Sequence, residues 1–376
     1  MTYDVAIVGL GAMGSAIAAH CAARGAHVIG LEQFERGHEL GASSGKTRLI
    51  RTAYFEDVAY VPLVQRAYEL WRELERASGE ELLRRIGVLY VGEEGSNVIE
   101  GTQRAARQHR LPIESFSGHQ VTSRYPNLKL LPEEVGLFEK EAGVLNPERA
   151  NDVHQKRAEA TGAEFRFCAA VKDWDFAGSK IRMRLQDGAR VKARKVALAL
   201  GPWFQATLLA LGVPLRVQRN VQAWFTPGTD AYDAGKFPAF LLNRRGLPAP
   251  LYGFPDFGDG VKAAFHGFGE LTDPDHVDRE VNAGRDIEPL VRGMEMWMPG
   301  SARTFRAAKP CMYSLTPDEN FVVDRHPRHA NVLLCGGFSG HGFKFAPVIG
   351  EIAADLLLEG GSRHPIEFLS LRRFQA

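Results

Sequence analysis

The stretch YDVAIVGLGAMGSAIAAH, residues 3–20, decides the fold. It contains a short apolar strand, three glycines in the spacing GxGxxG and most of an apolar helix that we expect at residues 16–24. In such a turn Gly9 permits a tight bend, Gly11 lets the backbone approach a pyrophosphate, and Gly14 lets the helix pack closely on the strand. The sequence therefore predicts a βαβ unit that binds a dinucleotide.

A second strand, HVIGLE, ends in the acid that such a unit uses to hold a ribose. Glu32 follows the first glycine at about 20 residues, the separation at which a carboxylate meets the ribose hydroxyls. The helix start offers unpaired N–H groups to phosphates, and we expect Ala12 and Met13 in the same turn to contact the nucleotide. The acid argues against NADP but leaves NAD and FAD open.

Length and composition are those of an ordinary globular protein. At 376 residues the chain exceeds one typical core, so two domains are expected. The net charge of +1 and the lack of basic blocks make nucleic acid an unexpected partner. No apolar run reaches the length that spans a bilayer, and the four cysteines are too widely spaced for a disulfide framework. We expect a soluble cytoplasmic protein with reduced thiols and no metal site.

The segment GASSGKTRLIR, residues 41–51, distinguishes the chain from an ordinary NAD enzyme. Regular βα units usually follow the second strand of such an enzyme, whereas this segment is polar, rich in glycine and carries three cations. We expect an anionic or polar group to lie against it. The helix that follows has Val64, Ala67, Tyr68, Trp71 and Leu74 at helical spacing, which indicates a stripe that faces the core.

The chain alternates between two textures, which predicts interleaved domains. Short strands and loops begin near IGVLYVG, residues 86–92, and a helix with a strand behind it returns at Pro147. This order is typical of an α/β fold in which a glutathione-reductase-type FAD-binding Rossmann domain is interleaved with an α+β substrate domain built on a mixed, largely antiparallel sheet. We assign to the FAD-binding domain residues 1–80, 147–218 and 320–376, and to the substrate domain residues 81–146 and 219–319.

Several uncommon motifs occur in one order along almost the whole chain. They are GLGAMG, TRLIR, the helix ELWRELE, GVLN, YGFP, CMYSLTPDENF and GFSGHGFKF. With this set the chain resembles the monomeric sarcosine oxidase family and its relatives, such as N-methyltryptophan oxidase, which oxidise N-methyl amino acids with FAD. The resemblance implies one FAD per chain.

The resemblance also implies how the flavin is held. Cys311 lies in KPCMYSLTPDENFVVD, residues 309–324, and matches the cysteine that bonds the flavin 8α-methyl group in the family. The implied link is an 8α-S-cysteinyl thioether, which fixes the ring and has no nucleophilic role in turnover. The alternative is a buried cysteine that only fills space, as free cysteines commonly do.

An amino-acid substrate brings a carboxylate, which fixed cations bind well. By the resemblance, Arg51 and Lys344 bind that carboxylate, although solvated surface charges are the alternative. Tyr252, His266 and Tyr313 match residues on the substrate side, where an aromatic ring and an imidazole shape the cavity and orient the amine. A cationic and partly desolvated site lowers the pKa of the amine, which favours the neutral form that reacts.

Lys262, four residues before His266, is the residue that the resemblance implies for the reaction with O2. Its cation stabilises the anion that O2 becomes, on the flavin face opposite the substrate. On a strand these two residues share a face unless a bulge intervenes. The alternative is an edge-strand lysine that deters aggregation. Arg48 completes the implied catalytic set and lies against the flavin.

The remaining residues that the resemblance matches to flavin contacts are spread along the chain. They are Ser43, Ser44, Thr47, Val171, Gly201, Trp203, Gly337, Gly340, His341 and Gly342, with Arg48 and Lys344 again among them. We expect His341 to act more through its backbone than through its ring.

Two departures from the family pattern affect what can be transferred. Ser44 and Lys46 stand where the family has a histidine and an acid, so we expect a different redox environment and a more cationic site. The segment 237–255, which borders the substrate entrance in the family, is longer here before Tyr252. Side-chain preference is therefore the least transferable property.

These residues predict an FAD-dependent amine oxidase. A secondary amino acid such as sarcosine is oxidised to an imine, the imine hydrolyses to glycine and formaldehyde, and O2 is reduced to H2O2. Bulkier or cyclic substrates stay open, namely N-methyltryptophan, pipecolate or proline. So do a dehydrogenase with another electron acceptor, an electron-relay flavoprotein and an NAD dehydrogenase. We expect a monomer whose partners are the amino acid and O2, and neither nucleic acid nor a membrane.

Overall fold

In the computed structural model, which describes residues 1–374, twenty strands form three sheets and eight α-helices pack on them. The strands are β1 Tyr3–Val8, β2 Val28–Leu31, β3 Arg48–Ile50, β4 Leu83–Arg85, β5 Val88–Glu93, β6 Glu114–Ser117, β7 Glu134–Glu139, β8 Gly143–Leu145, β9 Glu164–Arg166, β10 Val171–Ala177, β11 Lys180–Leu185, β12 Arg190–Leu198, β13 Arg216–Thr226, β14 Ala239–Asn243, β15 Leu251–Phe254, β16 Val261–Phe265, β17 Leu271–Thr272, β18 Thr304–Leu315, β19 Val322–His326 and β20 His329–Gly336. The helices are α1 Ala12–Ala23, α2 Val61–Ser78, α3 Asn97–His109, α4 Gly118–Arg124, α5 Pro147–Ala160, α6 Gln205–Leu209, α7 Glu288–Trp297 and α8 Ala346–Ala354.

The first sheet is the nucleotide-binding layer. Its centre is parallel, in the order β20, β12, β1, β2 and β9, while β10, β11 and β19 are antiparallel additions. Helix α1 packs against α5 and α8 over one large apolar cluster. Because parallel strands end at the same edge, the turns that follow β1, β12 and β20 meet there, where ligands of such sheets bind.

The first βαβ unit agrees with its prediction except at the helix start. Strand β1 has the predicted bounds, but α1 begins at Ala12, within the glycine motif, and not at residue 16. A Cβ on Gly14 would lie 1.8 Å from the carbonyl oxygen of Gly9, and one on Gly9 would lie 2.4 Å from the carbonyl oxygen of Ala199. Glycine is required at both positions because neither leaves room for a side chain.

The second sheet is largely antiparallel, with only β14 and β5 running parallel among its assigned pairs. Strand β13 pairs with β18 along one edge and with β16 and β17 along different parts of the other, and from β16 the order continues through β15, β14, β5, β7 and β6. Cross-strand register and alternation put Tyr252, Lys262, Cys311 and Tyr313 on one face. Residues of the opposite face, such as Phe225, belong to a second apolar cluster. The predicted α/β class with a mixed, largely antiparallel second sheet is confirmed.

A third, three-stranded sheet, β3 with β8 and β4, carries Arg48 between the two larger sheets. Of the stripe predicted on α2, Val64, Ala67, Trp71 and Leu74 are buried, as expected for a core-facing helix, and Tyr68 is partly buried. Along the chain, strands of the first and second sheets alternate, and the domain boundaries given above remain our proposal. Over residues 1–374, every helix is too short or too polar to cross a membrane.

Candidate active site

A cavity of about 490 Å³ extends from the glycine turn of the first sheet to the inner face of the second. Most residues singled out from the sequence line it. They are Gly9, Gly11, Ala12, Met13, Glu32, Ser43, Ser44, Arg48, Arg51, Val171, Gly201, Trp203, Tyr252, His266, Cys311, Tyr313, Gly340, His341, Gly342 and Lys344. Residues more than 300 positions apart in sequence therefore meet in one cavity.

Four of the predicted residues do not line the cavity and lie behind its wall: Gly14, Thr47, Lys262 and Gly337. Gly14 packs on Gly9, and Gly337 (φ +64°) packs on Thr316, which a Cβ would approach to 2.4 Å. The hydroxyl and carbonyl oxygens of Thr47 accept hydrogen bonds from Lys262. These residues act on the cavity through their neighbours.

The nucleotide end of the cavity contains a charged carboxylate. Glu32 is buried and accepts hydrogen bonds from the N–H groups of Leu10 (2.8 Å) and Phe34 (3.1 Å). Burial opposes its charge, but hydrogen bonds from His38 and these N–H groups outweigh burial, so the pKa of Glu32 lies below its ordinary value. A charged acid beside a turn too narrow for any side chain fits the ribose and pyrophosphate of an adenine dinucleotide.

The loop before β3 forms the wall between the sheets. Arg48 holds it by donating hydrogen bonds to the carbonyl oxygens of Ser44 (2.5 Å) and Thr47 (2.9 Å). The buried hydroxyl oxygen of Ser44 has no hydrogen-bond partner among the described residues. An unpaired polar atom in a cavity wall fits a ligand with polar ring edges, such as a flavin.

The expectation that Lys46 makes the site more cationic is wrong. Its backbone is left-handed, with φ at 65°, and its side chain is directed to the surface. There Nζ lies 3.0 Å from a carboxylate oxygen of Asp259, and the side chain of Lys46 is 60% exposed. Solvent and this acid therefore screen the charge from the cavity.

Cys311 lies on the cavity face of β18, opposite Asn220 of β13. Its side chain is buried, and Tyr252 and Lys262 are close enough to interact with it electrostatically. All four cysteines are free thiols, and one other, Cys335, also lines the cavity. Burial raises the pKa of Cys335 to about 12, which leaves it protonated and unreactive.

Arg51 is almost fully buried and already has an anionic partner. Its guanidinium lies 4.3 Å from the ring centres of Tyr54 and Phe55 and is paired with the carboxylate of Glu56. Burial opposes the charge of Glu56, but Arg51 outweighs burial and lowers the pKa of that carboxyl to about 2. The pair is therefore ionised, and any second carboxylate at Arg51 competes with Glu56.

Lys344 supplies the second cation of this pocket. Nζ donates hydrogen bonds to the carbonyl oxygen of His341 (2.7 Å) and to the hydroxyl of Tyr54 (3.5 Å). Burial and the charge of Arg51 lower the pKa of Lys344 to about 7, against the opposing effect of Glu56. The charge of this lysine therefore changes near neutral pH.

His266 and the two tyrosines form the next part of the wall. Nδ1 of His266 lies 3.4 Å from the hydroxyl of Tyr313, and the ring centres of His266 and Tyr252 are 6.3 Å apart. Burial lowers the pKa of His266 below its ordinary value, and burial raises that of Tyr252 to about 12. At neutral pH all three rings are uncharged, so they orient a ligand by shape and hydrogen bonds.

His341 uses its ring as well as its backbone. Nδ1 lies 2.5 Å from the hydroxyl of Tyr54, and Nε2 lies 3.1 Å from the carbonyl oxygen of Glu319. Burial lowers the pKa of His341 to about 3, so the ring is neutral and donates from Nε2 while accepting at Nδ1. The imidazole thus fixes Tyr54, which lies against Arg51.

Sequence reasoning missed two acids of the site. Glu56 lies in an irregular segment, so no periodic spacing marks it as the partner of Arg51. Glu148 lines the cavity from the first turn of α5. An acid in that position is commonly explained by its favourable interaction with the helix dipole, so it does not indicate a functional site. The sequence indicates such an acid only indirectly, because the two cations expected at the site, Arg51 and Lys344, require a nearby anion when they are buried.

The comparisons with known proteins agree along the whole chain. Residues 4–356 match the sequence profile of the family "DAO: FAD dependent oxidoreductase". The monomeric sarcosine oxidase of Streptomyces avermitilis is 40% identical over 382 residues, covering 100% of this chain and 98% of the relative. The N-methyl-L-tryptophan oxidase of Salmonella dublin is 33% identical over 380 residues, covering 100% of both chains.

A solved structure with the same fold is the open form of NikD, described as an unusual amino acid oxidase essential for nikkomycin biosynthesis. It superimposes with a TM-score of 0.86, covers 98% of this chain and 97% of its own, and is 24% identical. The fold is therefore shared, and the sequence relationship rests on the curated relatives. The chain belongs to the DAO family of FAD-dependent oxidoreductases, in the group that contains the monomeric sarcosine oxidases and N-methyl-L-tryptophan oxidases.

Proposed function

We propose that the protein oxidises an N-methyl or other secondary α-amino acid, with sarcosine as the first candidate, and reduces O2 to H2O2. The observation that carries the proposal is the buried pair of cations, Arg51 and Lys344, beside uncharged His266 and Tyr252 in the cavity. Such a pocket suits a carboxylate that is attached to an amine. The names of the two curated relatives described above give the same substrate class.

The residues of the cavity fit FAD. Gly9, Gly11 and Glu32 receive the nucleotide, and the wall at Ser44 and Arg48 receives the isoalloxazine ring. When bound, FAD would accept two electrons from the CH–NH group of the substrate, which loses two hydrogens and becomes an imine, and the electrons and protons would pass to O2 to give H2O2. We propose that Cys311 holds the ring through an 8α-S-cysteinyl bond, supported by its place in the cavity wall and by its CMY motif.

The charged pocket has two tasks in this proposal. Arg51 and Lys344 bind the substrate carboxylate, and the guanidinium offers two parallel N–H groups to its oxygens. The same cations disfavour a protonated amine nearby, so the substrate is held in the neutral form that can be oxidised. His266 and Tyr252 orient that amine through hydrogen bonds and shape, without acting as an obligate base.

Lys262 is the proposed residue for the reaction with O2. Its ammonium is buried behind the cavity wall, on the sheet face that also carries Tyr252 and Cys311, and lies 5.3 Å from the ring centres of Trp224 and Phe254. A positive charge at this depth stabilises the anion that O2 becomes on reduction. This role favours an oxidase over a dehydrogenase that uses another acceptor.

The test of the flavin bond is a comparison of two cysteine variants. The purified yellow protein is precipitated with acid, and flavin is measured in the pellet and the supernatant. We expect flavin in the pellet for the parent and for Cys335→Ser, and in the supernatant for Cys311→Ser. Retention of flavin by Cys311→Ser refutes the proposed attachment.

The test of the substrate class is a peroxide-coupled screen. Sarcosine, N-methyl-L-alanine, N-methyl-L-tryptophan, L-proline and L-pipecolate are compared at equal concentration, with glycine as the primary-amine control. We expect H2O2 from at least one secondary amino acid, with formaldehyde when the substrate is sarcosine. Turnover only with an artificial electron acceptor identifies a dehydrogenase and refutes the oxidase proposal.

We further propose a monomer in the cytoplasm. The names of the sarcosine oxidase relatives support the monomer, and four free thiols suit a reducing compartment. Light scattering on the purified protein at several concentrations tests the first statement.

A further inference from the structure

The ammonium group of Lys262 takes all of its hydrogen-bond acceptors from one short segment. Nζ donates to the carbonyl oxygens of Gly45 (2.6 Å) and Thr47 (3.0 Å) and to the hydroxyl of Thr47 (3.0 Å). An ammonium has three N–H donors, and this segment uses all of them. The conformation of residues 45–47 therefore fixes the position of the charge.

Glu148 holds the same segment from its other side. Its carboxylate accepts a hydrogen bond from the N–H of Gly45 (2.6 Å) and from the N–H of Lys46, at 3.1 Å and 3.2 Å to its two oxygens. Gly45 and Lys46 both have positive φ, at 112° and 65°, and the second value is unfavourable for a residue with a side chain. The segment thus needs an external partner to keep this shape, and Glu148 supplies it.

A single peptide group lies between the two charges. Its carbonyl oxygen belongs to Gly45 and accepts from Lys262, while its N–H belongs to Lys46 and donates to Glu148. The ammonium and the carboxylate therefore polarise this group in the same direction, which strengthens both hydrogen bonds. Arg48 and Lys309 also act on Lys262 and oppose its charge, whereas Cys311 would favour that charge only as a thiolate, which the proposed flavin bond excludes.

We propose that Glu148 is a positioning residue for Lys262. By holding residues 45–47, the carboxylate of Glu148 keeps the ammonium group of Lys262 charged and in place. The inference rests on the proposed role of Lys262 in the reaction with O2 and adds a second residue to that half of the reaction. Burial depresses the pKa of Lys262 well below its ordinary value, and the carboxylate of Glu148 opposes this effect.

A purely structural role for Glu148 gives a different expectation. The residue lies in the first turn of α5, where any acid stabilises the helix dipole. In that case its loss lowers the stability of the protein and changes both halves of the reaction alike. The positioning role requires a selective effect on the half in which O2 is reduced.

The experiment separates the charge of Glu148 from its hydrogen bonds. Glu148→Gln keeps an oxygen that can accept from the loop but removes the charge, and Glu148→Ala removes both. Glu133→Gln, at an exposed position, is the matched control for loss of an acid. Rapid-mixing kinetics on the flavin-loaded enzyme measure reduction by substrate without O2, and then reoxidation by O2 across pH.

We expect Glu148→Gln to slow reoxidation at least about tenfold more than it slows reduction, because loss of the carboxylate leaves less of Lys262 in the charged form and weakens the hold on residues 45–47. The pH above which reoxidation declines should move down by about one unit, because an opposite charge has been removed. Equal slowing of both halves, or an unchanged pH profile, overturns the inference.

Lys262→Met distinguishes this inference from the proposed function beneath it. If Lys262→Met fails to slow reoxidation selectively, the role of Lys262 itself is refuted. If it does slow reoxidation, adding Glu148→Gln to Lys262→Met should cause no further change, because Glu148 acts through the lysine. Additive effects of the two substitutions overturn the inference alone.

A second readout does not depend on turnover. Hydrogen exchange of a peptide that covers residues 43–49 reports whether Glu148 holds the loop. We expect faster exchange in Glu148→Ala, a smaller increase in Glu148→Gln and the parent rate in Glu133→Gln. Parent-like exchange in Glu148→Ala contradicts the proposed contact.

Discussion

Arg51 and Lys344 put two positive charges into one buried pocket, and Glu56 supplies one negative charge beside them. The balance of these three groups sets how strongly a carboxylate binds and in which pH range. Burial strengthens each interaction because little water screens it. Single substitutions in this pocket should therefore produce large and opposite effects, depending on the sign of the charge removed.

The charge of Lys344 should make carboxylate binding depend on pH. Its pKa is lowered to about 7, so the group is charged below that pH and neutral above it. A bound carboxylate favours the charged form, so affinity for acetate, which has no amine to titrate, should fall as pH rises above about 7. The fall is at most about tenfold per pH unit. Titration of flavin absorbance with acetate from about pH 6 to 9 checks this, and Lys344→Met should remove the dependence.

Glu56 should act as a competitor for the substrate carboxylate. Glu56→Gln leaves Arg51 without an anionic partner, so acetate should bind about tenfold more tightly. Because a buried charge then lacks its partner, the ligand-free protein should lose about 3 kcal/mol of unfolding free energy. Urea unfolding and acetate titration measure the two effects, with Glu69→Gln at an exposed ion pair as control. Weaker acetate binding contradicts the competition.

At the scale of elements, the glycine turn between β1 and α1 is the most constrained part of the cavity. Gly14 lets the helix reach the turn, and the carbonyl oxygen of Gly9 fills the space where a side chain would begin. Ala199, directly after the neighbouring strand β12, closes the same turn from the other side. Any added atom must move backbone, which a packed interior resists.

Gly14→Ala should therefore yield protein with little or no FAD. The new Cβ would lie 1.8 Å from a carbonyl oxygen, so helix and turn must separate. The cost falls in the range of about 1–3 kcal/mol for overpacking. Gly361→Ala, which meets no atom within 4 Å, is the control. The ratio of flavin to protein after purification gives the answer, and a normal ratio in Gly14→Ala contradicts the assignment of the turn.

The elements that sequence could predict are those with local signals. Strand β1, helix α2 and the strand before the final glycine turn follow from apolar periodicity and turn residues. The predicted start of α1 is too late because glycine has a low helix propensity, which argues against a helix within the glycine motif. In the structure the close packing of Gly14 stabilises the helix there. The three-stranded sheet at Arg48 joins segments almost 100 residues apart, and no local sequence pattern predicts such a long-range strand pairing.

The same reason explains the outcome for the site. Glycine motifs and the motif around Cys311 can be read from short windows, and most of the residues predicted in this way line the cavity. Glu56 and Glu148 were missed because their importance comes from partners brought together by folding. Lys46 was misjudged because its left-handed backbone, which no side-chain pattern reveals, turns the charge outward.

At the scale of the whole molecule, the helices that cover the first sheet bury a histidine that has no obvious role in the reaction. Both ring nitrogens of His154 lack a hydrogen-bond partner within residues 1–374, and the ring lies 5.7 Å from that of Trp71. Burial, with smaller effects of His20 and Arg157, lowers the pKa of His154 to about 3. The folded protein therefore excludes a proton that the unfolded chain binds.

This exclusion should contribute to acid sensitivity. The ordinary pKa of histidine is near 6.5, so stability is fully present above that value and is lost as pH falls towards about 3. At pH 5 the loss is about 2 kcal/mol. His154→Leu should reduce the difference in unfolding free energy between pH 7 and 5 by about this amount. Urea unfolding at both pH values measures it, and an unchanged difference contradicts the assignment.

The two sheets contribute different halves of the proposed enzyme, and neither half is sufficient alone. The first sheet provides the nucleotide turn, and the second provides Tyr252, His266, Lys262 and Cys311 on one face. The helix and loop segments between them bring Arg51 and Lys344 to the junction. We therefore expect the flavin and the substrate carboxylate to bind next to each other at the junction of the two sheets.

The most direct test is rapid mixing of the purified protein with a secondary amino acid in the absence of O2. We expect that sarcosine, another N-methyl amino acid or a cyclic amino acid bleaches the flavin absorbance within one turnover. We also expect that Arg51→Met and Lys344→Met raise the substrate concentration required. A flavin that stays oxidised with every secondary amino acid tested would contradict the account.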